Sequence, residues 1–478
     1  MTKAAHLLNR AGFGGSPEQI KAFCELGLDG AVKQVLNAPD DAEQFPKPAW
    51  AAPRNMMEMR QQLQALPQEE RREKFQMMQK EERGNGIDLI AWWLDRMTRS
   101  PNPFREKMTL FWHGHFATSV QKVKQPFLMW KQNETLRASA FGNFGAMVKE
   151  MSRDPAMLIW LDTRESKKEH PNENFARELM ELFTLGIGNY SEDDIQQAAR
   201  AFTGYKMHPV DQTFRFAPMQ HDEGEKKFFG KTGNFNGDDI IDMILEKPQC
   251  ARFIAKKIWE FYGYESPKPA IVDALANSFR AQKYEIKPLM NEIFRSAEFY
   301  SADAIRTQVK SPVQWVVQTV KILETELPRG QVVINVLRQL GQIPFAPPSV
   351  KGWDGGKAWI TTSTLLLRYN LANFALGRGP INMQRVRNVA ANKNMNRPGF
   401  DVENHTPIDF EKIAPKELRS DSKRLVAYLA FRLFQSPLGP RESESFIGFV
   451  EQHKDNLDDE TIRDLLHLMM STPQYQLT

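Results

Sequence analysis

Four polar side chains that could carry acid–base or metal chemistry stand at helical spacing near the middle of the chain. Wound as an α-helix, residues 170–186 place them on one narrow strip, at relative positions i, i+3, i+4 and i+7: Asn174, Arg177, Glu178 and Glu181. Apolar residues cover most of the remaining surface, so we predict a largely buried helix with this strip inside it. A buried carboxylate is costly unless it is paired or bound to a metal. The strip is therefore the first candidate site.

Two roles are open for this strip. Glu178 and Glu181 lie one helical turn apart and could share a metal ion or act as a general acid and base. Asn174 and Arg177 would then position a substrate. Alternatively, Arg177 and the two glutamates form an ion network that only stabilises the fold. The residue types permit both roles.

A second candidate is the histidine pair in Trp112-His113-Gly114-His115-Phe116. Imidazole is the commonest metal ligand in proteins. If the helix through Trp112 continues past His115, the two rings point about 200° apart and cannot bind one ion. If the segment is extended, both rings lie on one side. Gly114 is compatible with a helix end, so both geometries stay open.

A third candidate is His221-Asp222, which lies in an irregular segment rich in Gly, Pro and Asp. A histidine next to a carboxylate in such a loop is typical of a metal site and also of a surface turn. These two interpretations carry about equal weight.

Composition restricts the class of protein. A formal net charge of +4 over 478 residues argues against a dedicated nucleic-acid surface. Two cysteines, Cys24 and Cys250, cannot form a disulfide framework. No apolar run approaches the roughly 20 residues of a membrane span. The first residues lack the apolar core of a signal peptide, so we expect a cytoplasmic protein, although a chain trimmed of its export signal would look the same.

The hydrophobic periodicity is helical over most of the chain, so we predict a mainly α protein with a large multi-helical body. Residues 203–237 differ, because aromatic residues alternate or cluster there between Gly, Pro and Asp, which predicts a small irregular β hairpin. We divide the chain into N-terminal helices (1–37), a charged and methionine-rich insert (38–85), a helical core carrying the candidate site (86–377) and a C-terminal helical segment packed on the core (378–478).

Several segments of the chain together resemble the large bacterial family called domain of unknown function 1800 (DUF1800). The most specific of them is the segment from Pro171 to Gly186, which contains the polar strip. The others are residues 5–14, 111–119, 198–205, His221-Asp222, Lys310-Ser311-Pro312 and 341–345. The resemblance covers nearly the whole chain.

The resemblance implies a predominantly helical fold whose members commonly keep both histidines, the polar strip and the His-Asp pair. It brings no settled activity. Many relatives are exported and encoded beside an alkaline-phosphatase-like companion, so the resemblance also implies a companion protein as a partner.

Our leading hypothesis is a metal-dependent enzyme, hydrolytic or oxidative. In it a divalent ion (iron, manganese or zinc) is bound by donors from all three candidates: His113, His115, Glu178, His221 and Asp222. In this hypothesis the catalytic residues are those of the polar strip, Asn174, Arg177, Glu178 and Glu181.

The rival hypothesis is a non-catalytic helical scaffold, in which the strip is a structural network. The methionine-rich insert and a tryptophan- and glycine-rich loop at 350–359 would then bind a partner protein or a glycan. Metal content separates the two hypotheses most directly.

Overall fold

A computed structural model describes residues 1–39, 41–328, 330–378, 408–436 and 438–478 of the chain. Helices make up most of these residues, which confirms the predicted mainly α class. The first twelve α-helices are α1 Thr2–Ala11, α2 Pro17–Glu25, α3 Gly27–Leu36, α4 Met56–Gln64, α5 Gln68–Arg99, α6 Pro103–His115, α7 Val120–Val123, α8 Pro126–Ala138, α9 Phe144–Arg153, α10 Pro155–Trp160, α11 Glu173–Glu178 and α12 Glu192–Ala201.

The remaining described helices follow the β region. They are α13 Gly237–Glu246, α14 Pro248–Tyr262, α15 Pro269–Ala281, α16 Ile286–Arg295, α17 Pro312–Ile322, α18 Gln331–Leu340, α19 Thr362–Ala375, α20 Phe410–Ile413, α21 Lys416–Arg419, α22 Ser422–Phe434, α23 Pro440–Gln452 and α24 Asp459–Met470. Many of them begin where a side chain caps the first turn. Ser16 and Ser191, for example, each start a helix with a complete capping box.

The predicted β element consists of two small antiparallel hairpins. Their strands are β1 Tyr205–Met207, β2 Phe214–Phe216, β3 Lys226–Phe228 and β4 Lys231–Gly233, paired β1 with β2 and β3 with β4. The second hairpin turns through Phe229 and Gly230, both with positive φ (48° and 81°). Two such residues match the right-handed twist of the strands they join.

Helix α5 is longer than the sequence pattern suggested. It runs without a break from Gln68 to Arg99, so the boundary that we placed between residues 85 and 86 lies inside a helix. Its first half is mostly exposed, whereas Leu89, Trp93 and Leu94 in its second half are buried. Of the predicted C-terminal segment 378–478, residues 379–407 lie outside the described residues.

Two hydrophobic cores meet at helix α6. Phe104, Met108 and Trp112 of this helix pack into a core formed by residues between Leu7 and Ala304. Leu110 packs into a second core, formed by α5, α8, α17–α19 and the C-terminal helices. The His113-Gly114-His115 segment therefore ends a helix that lies between the two cores.

A buried ion network fixes α6 against α5 and α8. Glu106 is fully buried and lies 3.0 Å from Arg96 Nε and 2.7 Å from Arg137 Nε. The indole N–H of Trp93 also donates to Glu106 at 2.8 Å. Two cations and one further donor compensate the burial of this carboxylate, as such a charge requires.

Candidate functional site

The segment that carries the polar strip starts as a capped α-helix. Asn172 lies before the first turn, and its side-chain oxygen accepts the backbone N–H of Asn174 at 2.8 Å. This bond satisfies one of the donors that a helix leaves unpaired at its start. The α-helix then continues only to Glu178.

From Leu179 to Thr184 the backbone is a π-helix, which the sequence did not predict. The Met180 carbonyl accepts the N–H groups of Leu185 at 2.9 Å and of Gly186 at 3.1 Å. Gly186 has a φ of +81°, and the Phe253 ring lies 3.0 Å from where a Cβ would stand, so a larger residue would be strained there and would press on that ring. Single π turns inside helices frequently mark functional sites.

The polar strip is not buried, and on this point our prediction was wrong. Asn174 is exposed, and Arg177, Glu178 and Glu181 are each partly exposed. The side chains that face the core are Phe175, Ala176, Leu179, Met180 and Phe183. These five residues already cover one side of the segment, so its polar strip faces outward.

Arg177 is held by two acidic side chains. Its Nη1 and Nη2 donate to the two carboxylate oxygens of Glu192 at 2.9 and 2.8 Å, and Nη2 also reaches Glu173 at 3.3 Å. The paired geometry to Glu192 ties α11 to the first turn of α12. The guanidinium is therefore already occupied by protein carboxylates.

Glu181 is hydrogen-bonded by a residue that follows the π-helix. The Tyr190 hydroxyl donates to a Glu181 oxygen at 2.8 Å. Burial, together with this hydrogen bond to Glu181, raises the pKa of Tyr190 to about 12. The phenol consequently stays protonated and fixes the orientation of the carboxylate.

Glu178 differs from the two charged residues beside it. Among the described residues it has no hydrogen-bond or ion-pair partner, although its side chain is half-buried. Burial raises the pKa of the Glu178 carboxyl, the nearby Glu181 raises it further, and Arg177 opposes both effects. Glu178 is thus a carboxyl with a raised pKa and with no bonding partner among the described residues.

The two histidines of α6 point in different directions, because the helix includes both. His113 turns toward the second core, where its Nε2 accepts the N–H of Phe345 at 2.9 Å and its ring packs edge-on against Trp93. Burial lowers the pKa of His113 to about 3. Its ring also lies 6.0 Å from Trp353, so this histidine helps to fix the tryptophan loop.

His115 turns toward the π-helix. Its Nε2 donates to the Phe183 carbonyl at 3.0 Å, while its buried Nδ1 has no hydrogen-bond partner among the described residues. Burial lowers the pKa of His115 well below its ordinary value, and Lys257 lowers it further. His115 therefore meets the segment of the polar strip at a backbone carbonyl, as a neutral imidazole among aromatic rings.

The His221-Asp222 pair stabilises the β region. His221 Nδ1 donates to the Thr203 carbonyl at 2.9 Å, and the Thr203 hydroxyl accepts the Asp222 N–H at 2.8 Å. Arg200 donates two hydrogen bonds to the Asp222 carboxylate, at 2.7 and 3.1 Å. The bond from Arg200 is the main reason why the pKa of Asp222 is lowered.

The predicted metal ligands thus engage different partners. His113 bonds Phe345, His115 bonds Phe183, and His221 bonds Thr203. In the part of the chain that the structure describes, no three His, Cys, Asp or Glu side chains form a group that could hold a metal ion. The divalent ion therefore stays a prediction from the sequence.

A family model with the description "Protein of unknown function (DUF1800)" matches residues 6–477. The chain belongs to the DUF1800 family. No curated protein and no solved structure shows a significant similarity to it. A search of the described residues also finds no helix with the length and apolar character needed to cross a membrane.

In this DUF1800 chain the partners of the strip were not evident from the sequence. Tyr190 lies nine residues after Glu181, beyond the π-helix, and no helical spacing relates the two. Glu192 had a weak signal, because the capping box at Ser191 places it in the first turn of a new helix. Its contact with Arg177 depends on the fold of the intervening turn.

Proposed function

We propose that this DUF1800 protein is a hydrolytic enzyme in which Glu178 and Glu181 act as a general acid and a general base. One observation carries the proposal. Glu178 is a half-buried carboxyl with a raised pKa and no bonding partner among the described residues, beside a second carboxylate that Tyr190 hydrogen-bonds. Pairs of carboxyl groups in unequal environments are a common basis for divided acid and base roles.

The two environments favour different roles. Burial favours the neutral form of Glu178, which can donate a proton. Glu181 already accepts a hydrogen bond from Tyr190, and that bond holds its carboxylate in one orientation. A carboxylate held in this way is suited to orient an attacking water molecule.

The hydrolytic step balances with these two groups alone. Glu178 transfers its proton to the leaving oxygen of the substrate while the bond to that oxygen breaks. Glu181 takes a proton from water, and the water oxygen forms the new bond. One water molecule is consumed, two products leave, and exchange with solvent returns each carboxyl to its starting form.

The other two members of the strip have supporting roles. Asn174 is exposed at the start of the same helix, so its amide can donate and accept hydrogen bonds from a bound substrate. Arg177 is a positioning residue, because Glu173 and Glu192 hold its guanidinium. It keeps Glu178 next to α12 and opposes part of the rise in the Glu178 pKa.

A panel of p-nitrophenyl glycosides, esters and phosphates tests this proposal. We expect the wild-type protein to hydrolyse at least one class, and Glu178→Gln to lower kcat/KM by about 100-fold or more. Glu169→Gln is the matched control, because Glu169 is exposed and lies before the helix. Wild-type kcat/KM in Glu178→Gln, or no hydrolysis of any panel member, would contradict the proposal and favour a scaffold.

Elemental analysis addresses the predicted iron, manganese or zinc separately. Protein purified without added metal would be compared with Glu178→Gln and His115→Ala, each checked for an intact fold by circular dichroism. The acid–base proposal expects activity to persist in EDTA. A stoichiometric metal that both variants lose, together with loss of activity in EDTA, would replace it with the metal-dependent mechanism.

A further inference from the structure

Two buried cations that do not belong to the polar strip lie on helices α1 and α6. Arg10 is 2% exposed and Lys107 is 7% exposed. Neither forms an ion pair with an acidic side chain among the described residues. Burying a positive charge without a counter-charge is among the most costly arrangements in a protein.

The guanidinium of Arg10 has more N–H donors than the described residues provide with acceptors. Its Nη2 donates to the Ala304 carbonyl at 2.7 Å. Its Nε and Nη1 are buried and have no hydrogen-bond partner among the described residues. A guanidinium presents donors in a rigid planar arrangement that suits oxyanions.

Lys107 is the second cation of this cluster. Its Nζ donates to the side-chain oxygen of Gln314 and lies 4.9 Å from the centre of the Phe13 ring and 5.6 Å from that of Phe261. Burial lowers the pKa of Lys107 to about 7, and repulsion from Arg10 contributes. Arg10 and Lys107 thus repel each other, and neither has an acidic ion-pair partner among the described residues.

His6 adds a third nitrogen to the same place. It stands one turn before Arg10 on α1, is buried, and has no hydrogen-bond partner at Nε2 among the described residues. Burial lowers the pKa of His6, and Arg10 lowers it further. Among the described residues, the acceptors that Arg10 and Lys107 bond are neutral, namely the Ala304 carbonyl and the Gln314 side chain.

Glu106 compensates two other buried cations of the chain, whereas buried Arg368 and Lys310 form no ion pair with an acidic side chain among the described residues. Arg96 and Arg137 are as buried as Arg10, and both pair with Glu106. A bound anion would give Arg10 and Lys107 the counter-charge that Glu106 gives to Arg96 and Arg137.

We propose that Arg10 and Lys107, with His6 beside them, bind a small tetrahedral oxyanion such as phosphate or sulfate, free or as the end group of a small ester. The unpartnered donors of Arg10 and the ammonium of Lys107 supply charge-assisted hydrogen bonds, and the rings of Phe13 and Phe261 keep water away from them. This site is independent of Glu178, so either proposal can fail without the other.

Thermal denaturation in chloride, sulfate and phosphate at equal ionic strength and pH 7 tests the site. We expect the wild-type Tm to rise with phosphate or sulfate concentration up to a plateau, since a ligand stabilises the state that binds it. Lys107→Met should lose this rise. Lys321→Met is the matched control, because Lys321 is a partly buried lysine whose pKa burial also lowers. It should respond as wild type does.

The comparison between variants removes the general stabilising effect of these salts, which acts on any folded protein. Equal shifts in wild type and Lys107→Met would show an adventitious salt effect only and overturn the proposal. An anion that stays bound through purification would hide the shift, so ion chromatography of unfolded wild-type protein is the second measurement. About one phosphate or sulfate per chain supports the site. No released anion together with no shift overturns it, even where Lys107→Met fails to fold.

Discussion

Replacing Lys107 with methionine should stabilise the protein in a pH-dependent manner. In buffer free of phosphate and sulfate, burial lowers the pKa of Lys107 from 10.5 to about 7. Between these values the unfolded chain binds more protons than the folded one, so the wild-type protein becomes more stable as pH rises. Methionine has a similar length and no charge, so the stability of the Lys107→Met protein should lack this dependence on pH.

The magnitude follows from the two pKa values. One pKa unit corresponds to about 1.36 kcal/mol. The charge on Lys107 therefore lowers the free energy of unfolding by about 4 kcal/mol at pH 7 and by about 2 kcal/mol at pH 9. The advantage of Lys107→Met should shrink by about 2 kcal/mol over this range.

Urea denaturation of both proteins at pH 7 and pH 9, in chloride alone, measures this change. The variant also loses the hydrogen bond to Gln314, but this loss is the same at both pH values. It therefore cancels when the difference in unfolding free energy between the two proteins is compared at pH 7 and pH 9. An identical difference at pH 7 and pH 9 would refute the reasoning. Saturating phosphate should reduce the pH dependence, because a bound anion favours the charged lysine.

Two further predictions concern buried carboxyl groups. Glu106→Gln should cost about 3–5 kcal/mol in urea denaturation, because it leaves the buried guanidinium groups of Arg96 and Arg137 without their shared counter-charge; a cost under 1 kcal/mol would contradict this. Burial raises the pKa of Asp154 from 3.8 to about 6, so the folded wild-type protein loses stability as this carboxyl ionises. The free energy of unfolding of Asp154→Asn, relative to wild type, should therefore rise by about 2 kcal/mol between pH 4 and pH 7. A pH-independent difference would count against it.

Local signals in the sequence predicted much of the fold. Ser16 and Ser191 each cap the start of a helix, and such caps can be recognised in the sequence because they depend only on neighbouring residues. The Gly, Pro and Asp pattern at 203–237 also marked the β region correctly. For His113 and His115 the sequence left two geometries open, and the structure has the helical one, in which the two rings have different partners and do not face one ion.

Features that depend on tertiary packing could not be predicted from such local signals. We placed a domain boundary between residues 85 and 86, yet α5 continues through it and through Gly84 and Gly86. The buried residues that follow, such as Leu89 and Trp93, outweigh the roughly 1 kcal/mol that each glycine costs a helix.

The candidate site was predicted in part. Spacing correctly placed Arg177, Glu178 and Glu181 on one segment, but it gave no sign of the π-helix or of the exposure of the strip. Both depend on which neighbours pack against the segment. The partners that occupy Arg177 and Glu181 come from Glu192 and Tyr190, which the chain brings close only after it turns.

The central claim is that Glu178 is a protonatable carboxyl that its protein neighbours leave accessible for chemistry. Carbodiimide activates protonated carboxyl groups, so labelling with carbodiimide and glycine ethyl ester at pH 6, followed by peptide mass spectrometry, tests this claim without knowledge of the substrate. We predict that Glu178 is modified faster than Glu173 and Glu192, which are held by Arg177. Labelling of Glu178 no faster than labelling of Glu173 would contradict the account.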